Sequence, residues 1–283
     1  MNQILVPLNL RSDYLNLIQY ATSISAKSYA HITLLYVGGR ALLKGSGNFV
    51  YDGEQAPEDL YQKIRSPKIR QAIEAICTEF HRKEISFRFK FVSGFSLNEV
   101  IRETHRESYD MVLLGTHRNT GLRGYVQGAF AAKVIGEVET PVFVVPAKSR
   151  YNEIQHITYA VDLTDYDPNV IRQVKTIASM FDAKLSITHV NRSEEMEREQ
   201  YLLSLERTIA DTLDYPKVYY KFFDDSDPFR GIVKFVNLNN SNLVAMISRK
   251  KFSWRNFFSR KSMTRRMPEE VAVPVLAFNK HTV

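Results

Sequence analysis

The chain repeats one order of short apolar segments, and this repeat limits its fold more than any other feature of the sequence. Ile4–Asn9 and Ile157–Asp162 are two β-rich runs that start 153 residues apart. Leu34–Val37 matches Ile187–Val190 at the same spacing. Two matches at one spacing are hard to obtain by chance, so the sequence predicts two copies of one domain.

Two further matches lie at a shorter spacing. Asp110–Gly115 matches Asn242–Ile247 after 132 residues, and Thr140–Val144 matches Val273–Ala277 after 133 residues. The first copy must therefore contain an extra segment between its second and fourth strands. Its segment Gly38–Pro57 is rich in glycine and polar residues and is predicted to be a mobile loop.

Amphipathic stretches separate the apolar runs in both copies. Apolar residues recur at helical spacing over Tyr14–Ser25 in the first copy and over Val170–Phe181 in the second. Alternating strands and helices predict an α/β fold with a mainly parallel sheet covered on both faces. A polar segment, Lys148–Gln155, separates the copies, so the predicted domains are 1–148 and 149–283.

Composition favours a cytoplasmic globular protein. Of the 283 residues, 44% are hydrophobic and 24% charged, and no apolar run is long enough to span a membrane. The first residues lack the pattern of a secretion signal. The single cysteine, Cys77, cannot form a disulfide within the chain, which favours a reducing compartment.

The sequence motifs identify no enzyme. Nucleophile-elbow, zinc-protease and P-loop motifs are absent, and the seven histidines lack metal-ligand spacing, so no metal site is predicted. Weak ATP hydrolysis is the most that we expect, because the sequence identifies no catalytic base.

One loop resembles a known family. Gly115–Leu122, followed by Gly128-Ala129 and by Thr140–Val145, is similar to the nucleotide loop of universal stress proteins, and Ile4–Pro7 matches the family's first strand. The resemblance covers, copy by copy, essentially the whole chain. It implies two tandem Rossmann-like domains of the adenine nucleotide alpha-hydrolase type, each a mainly five-stranded parallel sheet with helices on both faces.

The resemblance also implies an adenine nucleotide, such as ATP, in the first domain. ATP-binding members carry Gly-x-x-Gly, nine residues, and then Gly-Ser or Gly-Thr. Here Arg118 stands at the second glycine, Ala129 replaces the hydroxyl residue, and Asn9 stands at the acidic position that would contact the adenosine. Arg118 places a side chain where backbone would approach the ligand, and it also offers phosphate a cation. The candidate binding residues are Pro7, Asn9, Val37, Gly115, His117, Arg118, Gly128 and Ala129.

The second copy has lost the glycines of this loop. Ile247, Lys250 and Lys261 stand in their places, so its nucleotide site is predicted to be degenerate. The segment 249–266 holds eight basic residues and no acidic one, interleaved with aromatic residues. It could contact nucleic acid or an anionic surface. A solvated basic loop whose aromatic residues cover the core or a partner subunit is the other interpretation.

Two functions remain open from the sequence. The first is a stress-response ligand sensor that binds an adenine nucleotide in its first domain. The second is an interaction module without nucleotide that uses 249–266. Family members commonly dimerise through their last strand, so the resemblance implies an internal pseudo-dimer of the two copies and leaves a homodimer of chains open.

Overall fold

The structure is a computed structural model that describes residues 1–8, 10, 14–38, 48–53, 57–94, 96–116, 127–146, 149–161, 167–191, 203, 206–207, 209, 213–248 and 273–279. The chain forms two compact units, Met1–Tyr151 and Asn152–Val283. None of the described helices combines the length and the low polarity that crossing a bilayer requires.

The first unit alternates strands and helices around a sheet of six described strands. The strands are β1 (Gln3–Leu8), β2 (His31–Gly38), β3 (Phe49–Asp52), β4 (Phe87–Ser93), β5 (Met111–Gly115) and β6 (Val142–Val145). The helices are α1 (Tyr14–Ser28), α2 (Pro57–Lys63), α3 (Pro67–Arg82), α4 (Ser96–Arg106) and α5 (Gln127–Glu137). The strand order is β3-β4-β2-β1-β5-β6, and every pairing is parallel except that of β3 with β4.

The second unit repeats this plan with five described strands. They are β7 (His156–Ala160), β8 (Lys184–Asn191), β9 (Val218–Asp224), β10 (Leu243–Ser248) and β11 (Val275–Asn279). The helices are α6 (Pro168–Met180) and α7 (Pro228–Leu238). The order is β9-β8-β7-β10-β11, with parallel pairings throughout. The predicted α/β class, with mainly parallel sheets, is confirmed.

The prediction of a loop over Gly38–Pro57 is wrong for part of this segment. Phe49–Asp52 forms the antiparallel edge strand β3. The reason is packing against β4. The ring of Phe49 stacks on Phe91 at 4.4 Å between centroids, and Tyr51 is buried, while Val50 between them faces solvent. A four-residue strand offers too short an alternation to be recognised in the sequence.

Strand β4 separates aromatic from charged residues onto its two faces. Phe87, Phe89 and Phe91 are buried together on one face, whereas Arg88 and Lys90 lie on the other. This alternation is the two-residue period of a strand that is covered on both sides.

Carboxylates from the end of α4 neutralise the charged face of β4. Lys90 contacts Glu103 and Glu107 at 2.5 Å each, and Arg88 also pairs with Glu107. Burial alone would raise the pKa of Glu107, but the hydrogen bond from Lys90 and the charges of Lys90 and Arg88 outweigh it and lower the pKa. Tyr109 donates to Glu103, and burial together with this bond raises the pKa of Tyr109 far above its usual range.

Most of the described helices end in the same way before a strand begins. The first or second residue after the helix has a positive φ of 50–58°, where glycine is usual because a Cβ is disfavoured. In this chain none of these residues is glycine. They are Tyr29, Glu84, Asp182 and Asn240, which follow α1, α3, α6 and α7.

Gly231 is required by packing in the second unit. A Cβ built on Gly231 in α7 would collide with a methyl group of Val190 in β8 and lie 3.0 Å from the Cβ of Asp225. By contrast, a Cβ on Gly136 in α5 would meet no atom within 4 Å.

Gly231→Ala is expected to lower the free energy of unfolding of the second unit by about 1–3 kcal/mol, because α7 must move away from β8. Gly136→Ala is the control and should leave stability unchanged or raise it by up to about 1 kcal/mol, because alanine favours a helix. Urea denaturation followed by circular dichroism measures both changes. Equal effects of the two substitutions would contradict the packing of α7 described here.

His156 makes the stability of the second unit depend on pH. Burial lowers the pKa of His156 below its usual value of 6.5, with Lys184 and Lys221 adding to the effect, although the carbonyl of Asn239 opposes it. Its ring nitrogens lie 2.8 Å from that carbonyl and 2.7 Å from the hydroxyl of Ser186.

The unfolded chain therefore takes up a proton on His156 at a higher pH than the folded chain does. The free energy of unfolding of the second unit should fall as the pH drops below about 6.5. In His156→Gln the slope of stability against pH between about 5 and 7 should be smaller. Denaturation at a series of pH values measures the slope, and His105→Gln, at an exposed histidine, is the control. An unchanged slope in His156→Gln would contradict this assignment.

Candidate functional site

The carboxyl end of the sheet in the first unit contains a topological switch point. After β1 the chain adds β2 and then β4 on one side of β1, and it next adds β5 on the other side of β1. The connections that follow β1 and β5 therefore leave in opposite directions, which opens a crevice between them. In open α/β sheets ligands bind in such a crevice.

Pro7 interrupts the hydrogen-bond ladder beside this crevice. Asp110 donates its backbone N–H to the carbonyl of Gln3, so the backbone groups of Gln3 point toward β5. Because backbone groups alternate in direction along a strand, those of Leu5 and Pro7 point toward β5 as well. Proline has no N–H to donate there. The ladder between β1 and β5 joins Ile4 to Met111 and Leu5 to Val112 and goes no further, although the structure describes both strands to their ends.

The other side of β1 remains paired to its end. The ladder between β1 and β2 continues to Leu8, which lies opposite Tyr36, and the next residue of β2 is Val37. Val37 is half-buried and lies opposite Val92 of β4. The structure thus brings Pro7, Val37 and Gly115 to one edge of the sheet, at the ends of three adjacent strands.

Gly115 is not required by the backbone of the folded chain. It is the last residue of β5 and has no positive φ, and an added Cβ would make only ordinary contacts with Leu17, at 3.6 Å or more. The packing of the folded chain therefore does not require glycine at this position. The absence of a side chain at Gly115 leaves room at the mouth of the crevice. The neighbouring Thr116 donates its N–H to the carbonyl of Val145.

Helix α5 follows β5 in the chain and begins at Gln127, so Gly128 and Ala129 occupy its first turn. In this fold the helix after a strand starts at the carboxyl edge of the sheet, and the free N–H groups of its first turn favour an anion. Asn9, His117 and Arg118, the other candidate residues, lie outside the described residues.

The corresponding edge of the second unit differs in its residues. Strand β10 lies beside β7 as β5 lies beside β1, and Ile247 stands where the first unit has Gly115. Ser248, which follows, is buried. Lys250, Lys261 and the basic segment 249–266 lie outside the described residues.

The groups with the most strongly shifted pKa values lie outside the crevice of the first unit. Burial raises the pKa of the Cys77 thiol to about 12, and hydrogen bonds from Arg230 and Lys234 hold the pKa of Asp225 far below its usual range. In the part of the chain that the structure describes, no three metal-binding side chains come together.

Sequence reasoning chose Pro7 only as part of a family motif and missed its effect on the ladder. The signal was present, because a proline near the end of an otherwise apolar strand interrupts pairing on one side. Which side it interrupts depends on the neighbouring strands, so only the structure could show that Pro7 interrupts the ladder to β5.

Comparison with solved structures confirms the architecture. A universal stress protein from Archaeoglobus fulgidus is 18% identical and superimposes with a TM-score of 0.68, over 98% of this chain and 96% of that one. A protein of unknown function from Pseudomonas aeruginosa is 14% identical, with a TM-score of 0.65 over 99% of this chain and 92% of that one. Identities this low show a shared fold alone.

A transport protein shares the fold as well. The cytoplasmic domain of a prokaryotic cation chloride cotransporter is 9% identical, with a TM-score of 0.58 over 99% of this chain and 96% of that one. No curated protein matches the chain in sequence. The sequence model of the universal stress protein family matches residues 1–146. This match spans more than half of the 283 residues, and the chain therefore belongs to the universal stress protein family.

Proposed function

We propose that the protein is a ligand sensor of the stress-response type that binds an adenine nucleotide, ATP or a related one, in its first unit. The observation that carries this proposal is the switch point between β1 and β5, where Gly115 at the end of β5 keeps the mouth of the crevice free of a side chain. Family membership supplies the class of ligand.

The phosphates would lie at the start of α5. The N–H groups around Gly128 and Ala129 would donate to phosphate oxygens, and the positive end of the helix dipole would favour their charge. His117 and Arg118, in the connection before the helix, would add cationic or hydrogen-bonding groups.

The adenosine would lie across the ends of β1 and β2. Val37 offers an apolar, half-buried surface for the base. Asn9 follows β1 and would hydrogen-bond to the ribose, although an amide offers fewer acceptors than the carboxylate expected at this position. Pro7 lies next to this position, near the end of β1.

The second unit would not bind a nucleotide in this way. Its equivalent of Gly115 is Ile247, whose side chain occupies the end of β10, and the sequence that follows lacks the glycines of the loop. A single nucleotide per chain is therefore expected. No catalytic step is assigned, because no general base is identified. A homodimer of chains and a cytoplasmic location remain predictions.

Gly128→Glu is expected to weaken ATP binding at least tenfold. A carboxylate in the first turn suits the helix dipole, so α5 should form, but it would repel a phosphate bound there. Gly136→Glu places the same charge in the last turn of the same helix, where an added Cβ meets no atom, and should leave ATP affinity unchanged. Titration calorimetry with ATP, AMP and adenosine measures the affinities.

The loss should be largest for ATP and smallest for adenosine, which has no phosphate. A uniform loss for all three ligands would indicate damage to the fold instead. Absence of both co-purified nucleotide by mass spectrometry and binding heat with ATP would contradict the proposal. That result would favour an interaction module that works without nucleotide.

Ala129→Ser is expected to tighten ATP binding by about fivefold. The serine hydroxyl would restore one hydrogen bond to phosphate, worth about 1 kcal/mol. The same calorimetric titration measures the gain, and adenosine affinity should not change. Unchanged or weaker ATP binding in Ala129→Ser would show that the phosphates do not lie at this turn.

A further inference from the structure

Three glutamates follow one another along α4 at intervals of four residues. Glu99 and Glu103 lie within the helix, and Glu107 continues its hydrogen bonding by donating an N–H to the carbonyl of Glu103. Residues four apart lie on the same side of a helix, one turn above the other. The three carboxylates therefore form a single row along α4.

Strand β4 supplies cations for the last two glutamates of this row. Arg88 pairs with Glu107. Two residues further along the strand, Lys90 pairs with Glu103. Two residues of a strand and one turn of a helix each advance by about 6 Å, so the row and the strand stay in step. The next residue on this face of β4 is Val92, so the strand has no cation for the first glutamate.

The carboxyl group of Glu99 lies at the carboxyl end of β4. Its Oε1 would be only 2.7 Å from a Cβ built on Gly94, the residue that follows the strand. Helix α4 also packs against β2, where Val37 lies opposite Val92 near the same end of the sheet. The Glu99 carboxylate is thus placed at the edge where the crevice lies, on the face of the sheet that Val37 shares with Val92.

The Glu99 carboxylate has one described partner. Arg102 donates to Oε1 at 2.8 Å, and no described donor bonds to Oε2. Only 8% of the Glu99 side chain is exposed, whereas 54% of the Arg102 side chain is. Buried polar groups are costly without hydrogen bonds, so Oε2 is suited to accept one from a ligand.

A buried carboxylate of the second unit gives a direct comparison. Asp225 is 2% exposed, and both of its oxygens accept hydrogen bonds, from Arg230 and from Lys234. At the 132-residue spacing of the repeat, Gly231 stands where the first unit has Glu99. The partly bonded carboxylate therefore belongs to the unit that has kept glycines in its nucleotide loop.

We propose that Oε2 of Glu99 accepts a hydrogen bond from the 6-amino group of the bound base, which makes the first unit selective for 6-amino purines. This inference rests on the proposed function, which places the adenosine across the ends of β1 and β2. With the base against Val37, an amino group directed toward β4 would meet the carboxylate. A 6-oxo purine would bring a carbonyl oxygen to the same position, where the negative charge would repel it.

ATP and ITP are suitable probes of this selectivity. ITP has the ribose and triphosphate of ATP and carries a carbonyl oxygen in place of the 6-amino group. Titration calorimetry of the full chain measures both affinities. The wild-type chain is expected to bind ATP at least tenfold more tightly than ITP, because a hydrogen bond to a charged group is exchanged for a repulsion.

Glu99→Gln tests the residue itself. The glutamine amide accepts from an amino group through its oxygen and donates to a carbonyl through its nitrogen, so it serves either base. The preference for ATP over ITP is expected to fall below about threefold, with weaker ATP binding and tighter ITP binding. The two side chains have nearly the same size, and circular dichroism checks that the variant is folded.

Glu79→Gln is the matched control. Glu79 pairs with Arg82 three residues later in α3, as Glu99 pairs with Arg102 in α4. This variant should keep the wild-type preference for ATP. Arg102→Gln removes the ion pair of Glu99 while it retains the carboxylate, so it should also keep the preference.

Three results would overturn this inference. They are equal affinity of the wild-type chain for ATP and ITP, an unchanged preference in folded Glu99→Gln, and a preference that Arg102→Gln abolishes as completely as Glu99→Gln does. The wild-type comparison needs no variant and therefore does not depend on the folding of one. Binding of neither nucleotide would also overturn the proposed function, whereas equal binding of both would overturn the base selectivity alone.

Discussion

Hydrogen bonding of β1 to the strands on both of its sides is the constraint on which the rest of the first unit depends. Ile4, Leu5 and Val6 are fully buried, so their backbone groups must find partners inside the sheet. The ladder to β2 satisfies one side along the whole strand, and the ladder to β5 satisfies the other side only through Leu5. Pro7 has no N–H, so it cannot continue the ladder toward β5 at the end of the strand that holds the sheet together.

The second unit has the same arrangement of strands as the first with different side chains at the corresponding positions. Its strand order repeats that of the first unit, apart from β3, and its central strand β7 is as deeply buried. Many side chains differ between the units, and two of these differences change local space or charge. Ile247 stands where the first unit has Gly115, and Lys221 of β9, at the place of Lys90, donates to Asn239. The strand order requires only apolar strands in the right sequence, so it tolerates many substitutions. A binding site depends on single residues and is changed by few substitutions.

Much of the fold could be predicted from the sequence because its signals are local. The apolar spacing over Tyr14–Ser25 and Val170–Phe181 predicts α1 and α6, which run over Tyr14–Ser28 and Pro168–Met180. β3 could not be predicted, since its pairing depends on Phe91, which lies about forty residues away in the chain. The positive-φ positions were also hidden, since residues such as Tyr29 carry no sign of that conformation.

The sequence by itself determined the repeat, the α/β class and the residue types of the nucleotide loop, because strands and helices have periods that can be read along the chain. Only the tertiary structure decided on which side of β1 Pro7 interrupts the ladder, and that Lys90 pairs with Glu103 and Glu107 whereas Lys221 donates to Asn239. These contacts join residues from different strands and helices, and their geometry follows from strand order and register, which no local pattern specifies.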